Sequence, residues 1–153
     1  MAAVPRESVL DFILAGNAIF TLVNEKTGNR FTYRVERCDD KETLFFVKVL
    51  TGPDNLHDYT YLGTARGEGA KVIEGRQIEA RAWAYAHGRK SRIAEDAQSA
   101  KVFTWFRQHI EALPACITIY HEGHCGRCAK KLTTPESITR GFGSVCAEYM
   151  FSA

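Results

Sequence analysis

Hydrophobic and polar residues alternate along much of the first half of the chain, which is typical of β-strands that keep one face in water. The segment 30–38 shows this most plainly, because polar side chains separate Phe31, Tyr33 and Val35. Polar turn sequences divide this segment from its neighbours. The pattern predicts strands at 17–23, 30–38, 43–50 and 58–65.

Two segments instead carry hydrophobic residues three or four positions apart, which predicts amphipathic helices. The shorter one is 6–15, which Gly16 ends. The longer one is 94–113, and Pro114 stops it because proline cannot continue a helix. Further short strands are predicted at 72–73 and 117–120, and 80–88 is predicted as a strand with a helical turn as the alternative.

The composition is that of a folded protein: 45% of the 153 residues are hydrophobic, and the net charge is only +2. No hydrophobic run approaches the roughly 20 residues that cross a bilayer. Glu7 and Asp11 interrupt the first hydrophobic stretch, which argues against a signal peptide. We therefore expect a cytoplasmic protein, in which unevenly spaced cysteines indicate metal or redox chemistry rather than disulfides.

Three cysteines near the C-terminus have the spacing of a zinc site. Two residues separate Cys125 from Cys128, which lets both sulfurs reach one ion at about 2.3 Å. Cys146 follows after a loop of the length found in ribbon-like zinc sites. A dithiol redox site is the alternative, but such sites usually begin a helix in a thioredoxin-like context, which is missing here.

Two short helices are expected around this loop. Thr134 and Pro135 have the character of a helix cap and a first helical residue, and this helix would end at Gly141. A terminal helix is expected over 145–151, with Ser144 as its cap. The third cysteine would then lie in the first turn, where the helix dipole favours a thiolate.

A closed tetrahedral site needs a fourth ligand. We choose His121, because it ends a predicted strand and leaves only a short loop to Cys125. His124 and Cys116 stay open as alternatives, although the first adjoins a ligand and the second begins a strand. The prediction is one structural Zn²⁺ ion bound by His121, Cys125, Cys128 and Cys146.

These elements together predict an α+β fold: a mainly antiparallel, twisted sheet with one long helix, 94–113, packed on one face, plus a C-terminal zinc-ribbon-like module. The expected division is an α+β domain over 1–116 and a zinc-binding module over 117–153. The module has few hydrophobic residues, so we expect it to depend on the metal for folding.

The segment from Cys125 to Cys146 resembles a zinc-ribbon-type family of unknown function that is common in phage and mobile-element proteins of bacteria. The family pattern is roughly CGxCGRxLTxPxSIxxGxGPxC, and this chain departs from it at Ala129 and Ser144, where Gly and Pro are usual. The upstream half also looks like the domain that often precedes this ribbon. The resemblance implies a phage or prophage origin, a bacterial host cytoplasm and a zinc site, but it implies no reaction.

Lys and Arg residues are concentrated in the middle of the chain, since 12 of the 20 lie in 66–131. Such an excess can bind phosphates, and aromatic side chains on strands can stack on bases. The alternatives are a solvated mixed surface and aromatic residues that fill the core. The candidate residues for binding nucleic acid or another partner are Arg76, Arg81, Arg89, Lys90, Arg92, Lys130 and Lys131. The aromatic candidates are Tyr33, Tyr59, Tyr61, Trp83 and Tyr85.

The sequence has no recognisable catalytic motif. His109-Ile110-Glu111 followed by the CxxC pair imitates the order of a zinc deaminase, but Gly123-His124 replaces the proline of that motif. We therefore expect a non-enzymatic protein that acts by binding nucleic acid or a host nucleic-acid-processing complex. We expect no membrane partner, and the sequence identifies no small-molecule substrate. Two alternatives stay open: a phage-encoded inhibitor of a host defence system, of the anti-CRISPR kind, and a structural subunit of a phage assembly.

Overall fold

The alternating segments pair into one antiparallel sheet. The computed structural model describes residues 1–78 and 80–151, and for residues 81 and 82 the backbone. Numbered in chain order, the strands are β1 (Ala2–Ala3), β2 (Asn17–Asn24), β3 (Arg30–Arg37), β4 (Leu44–Leu50), β5 (Tyr59–Glu68), β6 (Lys71–Ile73), β7 (Arg76–Ile78), β8 (Arg81–His87) and β9 (Ile117–His121). Seven of them form the sheet in the order β1-β9-β2-β3-β4-β5-β8, and β6 pairs with β7 in a separate hairpin.

Four helices accompany the strands in the described part of the chain: α1 (Val9–Ile13), α2 (Gln98–His109), α3 (Pro135–Arg140) and α4 (Ser144–Phe151). The long helix is shorter than the predicted 94–113, because residues 94–97 form a separate turn and residues 110–112 tighten into a 3-10 turn. Together with the mainly antiparallel sheet, these helices confirm the predicted α+β class. No helix of the described residues is both long enough and apolar enough to cross a membrane.

Helix α2 packs across one face of the sheet through aromatic side chains. Phe103 meets Tyr33 and Tyr85 at ring-centroid distances of 5.0 and 4.7 Å. Trp83 lies edge-on against Phe103 and Phe106. Tyr33, Trp83 and Tyr85 therefore belong to the core and are not free to stack on bases.

Strand β9 places the C-terminal segment at one end of the sheet. It pairs with β1 on one side and with β2 on the other, and Phe20 of β2 lies opposite His121. Because the strands are antiparallel, one end of the sheet contains the end of β9, the beginning of β2 and the end of β3. The division into units 1–116 and 117–153 stays a prediction, although β9 is hydrogen-bonded within the sheet.

The start of β2 also holds the segment that follows β9. The amide of Asn17 donates to the carbonyl of Gly126 at 2.8 Å, and its side-chain amide donates to the carbonyl of Arg127 at 2.9 Å. Phe12 of α1 packs edge-on against Phe142, and a Cβ atom at Gly126 would lie only 2.7 Å from the Phe12 ring. The C-terminal segment is therefore seated closely on the end of the sheet.

Candidate metal centre

Residues 123–132 form a tight hairpin, here called the knuckle, which presents the two thiols of the CxxC pair. The amide of Cys125 donates to the carbonyl of Lys130 at 2.8 Å, and the amide of Ala129 donates to the carbonyl of Cys125 at 2.9 Å. Gly123 and Ala129 adopt left-handed backbone conformations, with φ of 86° and 65°. These two residues let the chain reverse within a few positions.

Helix α3 begins and ends as the sequence predicts. The hydroxyl of Thr134 accepts a hydrogen bond from the amide of Ser137 at 3.2 Å, so Thr134 is the cap. Pro135 is the first helical residue, and Gly141 ends the helix with φ of 83°. The sharp end at Gly141 turns the chain back towards the knuckle, where the amide of Gly126 donates to the carbonyl of Gly141 at 3.0 Å.

Helix α4 begins one residue earlier than predicted, so the assignment of Ser144 as its cap is wrong. The carbonyl of Gly143 accepts the first helical hydrogen bond, from the amide of Ala147 at 2.9 Å. Ser144 is therefore the first helical residue and Gly143 is the cap. Cys146 nevertheless lies in the first turn of the helix, as expected.

The knuckle and α4 bring three thiols together. The sulfur atoms of Cys125, Cys128 and Cys146 all lie within 4.8 Å of one another. Four sulfurs bound tetrahedrally to Zn²⁺ at about 2.3 Å are roughly 3.8 Å apart, so this spacing suits the ion. Cys125 and Cys146 are buried and Cys128 is exposed.

The pKa values of Cys125 and Cys146 are shifted in opposite directions. Burial raises the pKa of Cys146 to about 11, against the effect of a hydrogen bond from Arg127. Burial also acts to raise the pKa of Cys125, but hydrogen bonds from the backbone amides of Cys128, Gly143 and Arg127 outweigh it and the net pKa is lowered. Such amides also stabilise a metal-bound thiolate, since they donate to its remaining lone pairs.

Arg127 is the residue of this site that sequence reasoning missed. Its guanidinium donates to the sulfur of Cys146 at 3.5 Å and lies 3.8 Å from the ring centroid of Tyr149. The Tyr149 side chain is 53% exposed, so the pair forms part of the surface beside the thiols. The position of Arg127 inside the CxxC pair was the available signal, but the sequence does not show that α4 lies next to it.

His121, predicted as the fourth ligand, is not brought into the thiol group. It is fully buried, and its Nδ1 atom accepts a hydrogen bond from the amide of Gly123 at 3.0 Å. Its Nε2 atom must then carry the proton and donate to the carbonyl of Ile138, at 2.6 Å. The assignment of His121 as a ligand stays a prediction, and this hydrogen-bond network argues against it.

The two alternative ligands also lie outside the group. The Nδ1 atom of His124 lies 3.1 Å from the carbonyl oxygen of Ala129, within the knuckle. Cys116 precedes β9 and lines an apolar groove with Leu22 and Phe31 at the opposite end of the sheet. A direct role for Cys116 in this centre would require a large rearrangement.

The predicted basic residues fall into separate groups. Arg89, Lys90 and Arg92 follow the end of β8, whereas Arg81 begins that strand, and a strand of this length spans about 23 Å. Arg76 lies in the β6–β7 hairpin, and Lys130 and Lys131 lie in the exposed part of the knuckle. The basic residues closest to the thiols in the chain are therefore Arg127, Lys130 and Lys131.

Comparison with known proteins bears on this segment alone. Residues 118–151 match a family of unknown function, DUF6011, and the match contains the three clustered cysteines. No curated protein matches the chain, and no solved structure does either. The C-terminal segment is thus similar to a family with no assigned activity.

Proposed function

We propose that this chain is a non-enzymatic, zinc-stabilised binding protein whose C-terminal module holds one Zn²⁺ ion through Cys125, Cys128 and Cys146. The observation that carries the proposal is the convergence of three thiols from two separate elements, with backbone amides directed at the sulfur of Cys125. Bound zinc would supply charge compensation for the thiolates and a cross-link between the knuckle and α4.

The elements that the ion would join are short. The knuckle is a hairpin of ten residues, and α4 has eight. Segments of this size contribute little stability by themselves, because isolated short helices are marginal in water. The role of the zinc in this proposal is therefore to fix a surface rather than to perform a reaction.

We infer that the surface is built to bind nucleic acid. Lys130 and Lys131 are exposed on the knuckle, and Arg127 stacks on the exposed ring of Tyr149. Cations beside an aromatic face are what single-stranded nucleic acid requires, because the cations contact phosphates and the ring stacks on a base. The bacterial phage origin implied by the sequence resemblance is consistent with such a role.

Salt dependence tests this inference. Three phosphate contacts by Arg127, Lys130 and Lys131 predict that affinity for a single-stranded oligonucleotide falls about 20-fold between 50 and 200 mM salt. Replacing both lysines with alanine should weaken binding and reduce the log–log salt slope by about 1.4. The matched control is Arg89→Ala with Lys90→Ala, at the far end of β8, and it should leave the slope unchanged. Absence of binding at low salt would contradict the inference.

A protein partner is the second candidate, and exposed apolar side chains on the module favour it. Val145 and Tyr149 lie one helical turn apart on α4 and are 74% and 53% exposed. Adjacent exposed apolar residues are typical of protein-binding surfaces. An inhibitor of a host defence complex would use such a surface.

The second candidate predicts capture of a host protein that survives nuclease treatment. Val145→Glu should abolish the capture, whereas Leu56→Glu, an exposed apolar position in the turn between β4 and β5, should not. Capture that disappears with nuclease would favour nucleic acid as the partner instead.

A further inference from the structure

Three thiols leave a tetrahedral zinc ion one ligand short, and the side of the group that opens to solvent lies at Cys128. Cys125 and Cys146 are buried, whereas Cys128 is exposed. A shallow concavity of about 440 Å³ adjoins Cys128, and Cys38 and Asp39 line the same concavity. A fourth cysteine, Cys38, therefore lines the same concavity as the exposed member of the group.

The sheet explains why Cys38 is there. Cys38 directly follows β3, and the amide of Arg37 donates to the carbonyl of Gly16 at 2.9 Å. Asn17, the residue after Gly16, holds the knuckle through its hydrogen bonds to the carbonyls of Gly126 and Arg127. The beginning of β2 thus has the end of β3 on one side and the knuckle on the other.

Cys38 is free to turn towards the ion. Its amide donates to the carbonyl of Leu44 at 2.8 Å, which fixes the backbone, but no described residue makes a hydrogen bond with its thiol. The sulfur lies outside the 4.8 Å group, so binding requires a change of side-chain rotamer and an adjustment of the exposed loop at 39–42. Exposed loops make such adjustments at low cost.

The charges around the concavity suit four thiolates. A Zn²⁺ ion with four thiolates carries a net charge of −2, which is costly to leave uncompensated near a protein interior. Arg37 and Arg127 both line the concavity and bring two positive charges to it. Arg127 already donates to the sulfur of Cys146, and Arg37 is anchored by a bond to the carbonyl of Leu14 at 3.1 Å.

We propose that Cys38 is the fourth zinc ligand, so that the ion is bound by Cys38, Cys125, Cys128 and Cys146 and joins the end of β3 to the C-terminal module. This inference rests on the proposed zinc-binding function. Cys38, which follows β3, takes the place of the predicted ligand His121. The metal would then link the end of β3 to the knuckle and α4.

X-ray absorption at the zinc edge of the purified full chain tests the inference without any variant. We expect four sulfur atoms at about 2.3 Å around each zinc. Three sulfurs with one nitrogen or oxygen would overturn the Cys38 assignment but keep the zinc-binding proposal, because His121, Asp39 or water would then be the fourth ligand. A chain that binds no zinc would overturn both.

Variants with Co²⁺ in place of zinc give a second test. Cys38→Ser should lower the sulfur-to-cobalt charge-transfer absorption by about a quarter and weaken zinc binding more than about 10-fold, since even outer partners of a metal cost that much. Cys116→Ser, at the other end of the sheet, is the matched control and should change neither value. Identical spectra and affinities for the two variants would overturn the inference.

Discussion

Ala129 is a residue of the knuckle that carries backbone strain. The zinc-ribbon-type pattern that this segment resembles has glycine at this position, and here an alanine adopts φ of 65°. A side chain makes the left-handed region unfavourable by roughly 1–2 kcal/mol, which glycine escapes. The knuckle therefore keeps its turn at a local cost.

Ala129→Gly should accordingly increase the free energy of unfolding by about 0.5–1 kcal/mol, because relief of the left-handed strain exceeds the entropy that glycine adds to the unfolded chain. Urea denaturation of the zinc-loaded protein measures it. Ala84→Gly, at an exposed position of strand β8, should act in the opposite direction by a similar amount. Destabilisation by both substitutions would show that the knuckle turn is not strained at Ala129.

His121 shows why a ligand assignment made from spacing can fail. The end of a strand before a CxxC pair is a reasonable place for a ligand, yet the ring is held by the amide of Gly123 and the carbonyl of Ile138. The second of these comes from α3, whose position the sequence does not show. Both nitrogens are used in joining β9 to the module.

His121→Gln should therefore retain zinc and lower the free energy of unfolding by about 1–3 kcal/mol, since buried partners lose their hydrogen bonds. Metal analysis and urea denaturation of the same sample measure the two effects. His57→Gln, at an exposed histidine, should change neither. Loss of zinc from the His121 variant alone would restore that residue as a ligand.

The same ring predicts a pH dependence. Burial lowers the pKa of His121. Protonation at Nδ1 would also place the N–H of that atom against the amide N–H of Gly123, so that this hydrogen bond would be lost. Below about pH 6.5 the unfolded chain therefore binds a proton that the folded chain resists, so stability falls as the pH falls. This part of the acid sensitivity should be absent in His121→Gln.

At the scale of elements, the strands and the ends of α3 were predictable, whereas the ends of α2 and the start of α4 were not. Alternation with period two indicates which face of β3 and β4 is buried, whereas β2 is buried on both faces, and β2 to β5 follow the predicted segments closely. The start of α4 depended instead on whether Gly143 or Ser144 supplies the first carbonyl, and both residue types are accepted at a cap. Tertiary contacts with the knuckle decide between them.

The second departure from the pattern that this segment resembles, Ser144 in place of proline, falls at the first helical position of α4. Proline is favoured there because its missing amide needs no partner and its φ is already helical. Ser144→Pro should be tolerated and should increase the free energy of unfolding by up to about 1 kcal/mol. Thermal unfolding measures this as a higher midpoint temperature. Ala147→Pro, whose amide donates to Gly143, should cost about 3 kcal/mol or more. Equal loss from both variants would contradict the observed start of α4.

At the scale of the whole molecule, distance along the chain concealed the surroundings of the three predicted cysteines. Cys38 and the knuckle belong to distant parts of the sequence and meet only because β3 ends where β2 begins. The same antiparallel geometry separates Arg81 from Arg89, which are close in sequence and lie at opposite ends of β8. Sequence spacing could therefore indicate the three clustered cysteines but neither their neighbours nor the shape of the basic surface.

The most direct test of a zinc-stabilised module is the metal content of the purified chain together with its thermal stability. We predict about one zinc per chain, and a lower unfolding temperature both after removal of the metal by a chelator and in Cys128→Ser. The matched variant Cys116→Ser should keep the metal and the unfolding temperature. A chain that contains no zinc and unfolds at the same temperature with and without chelator would contradict the account.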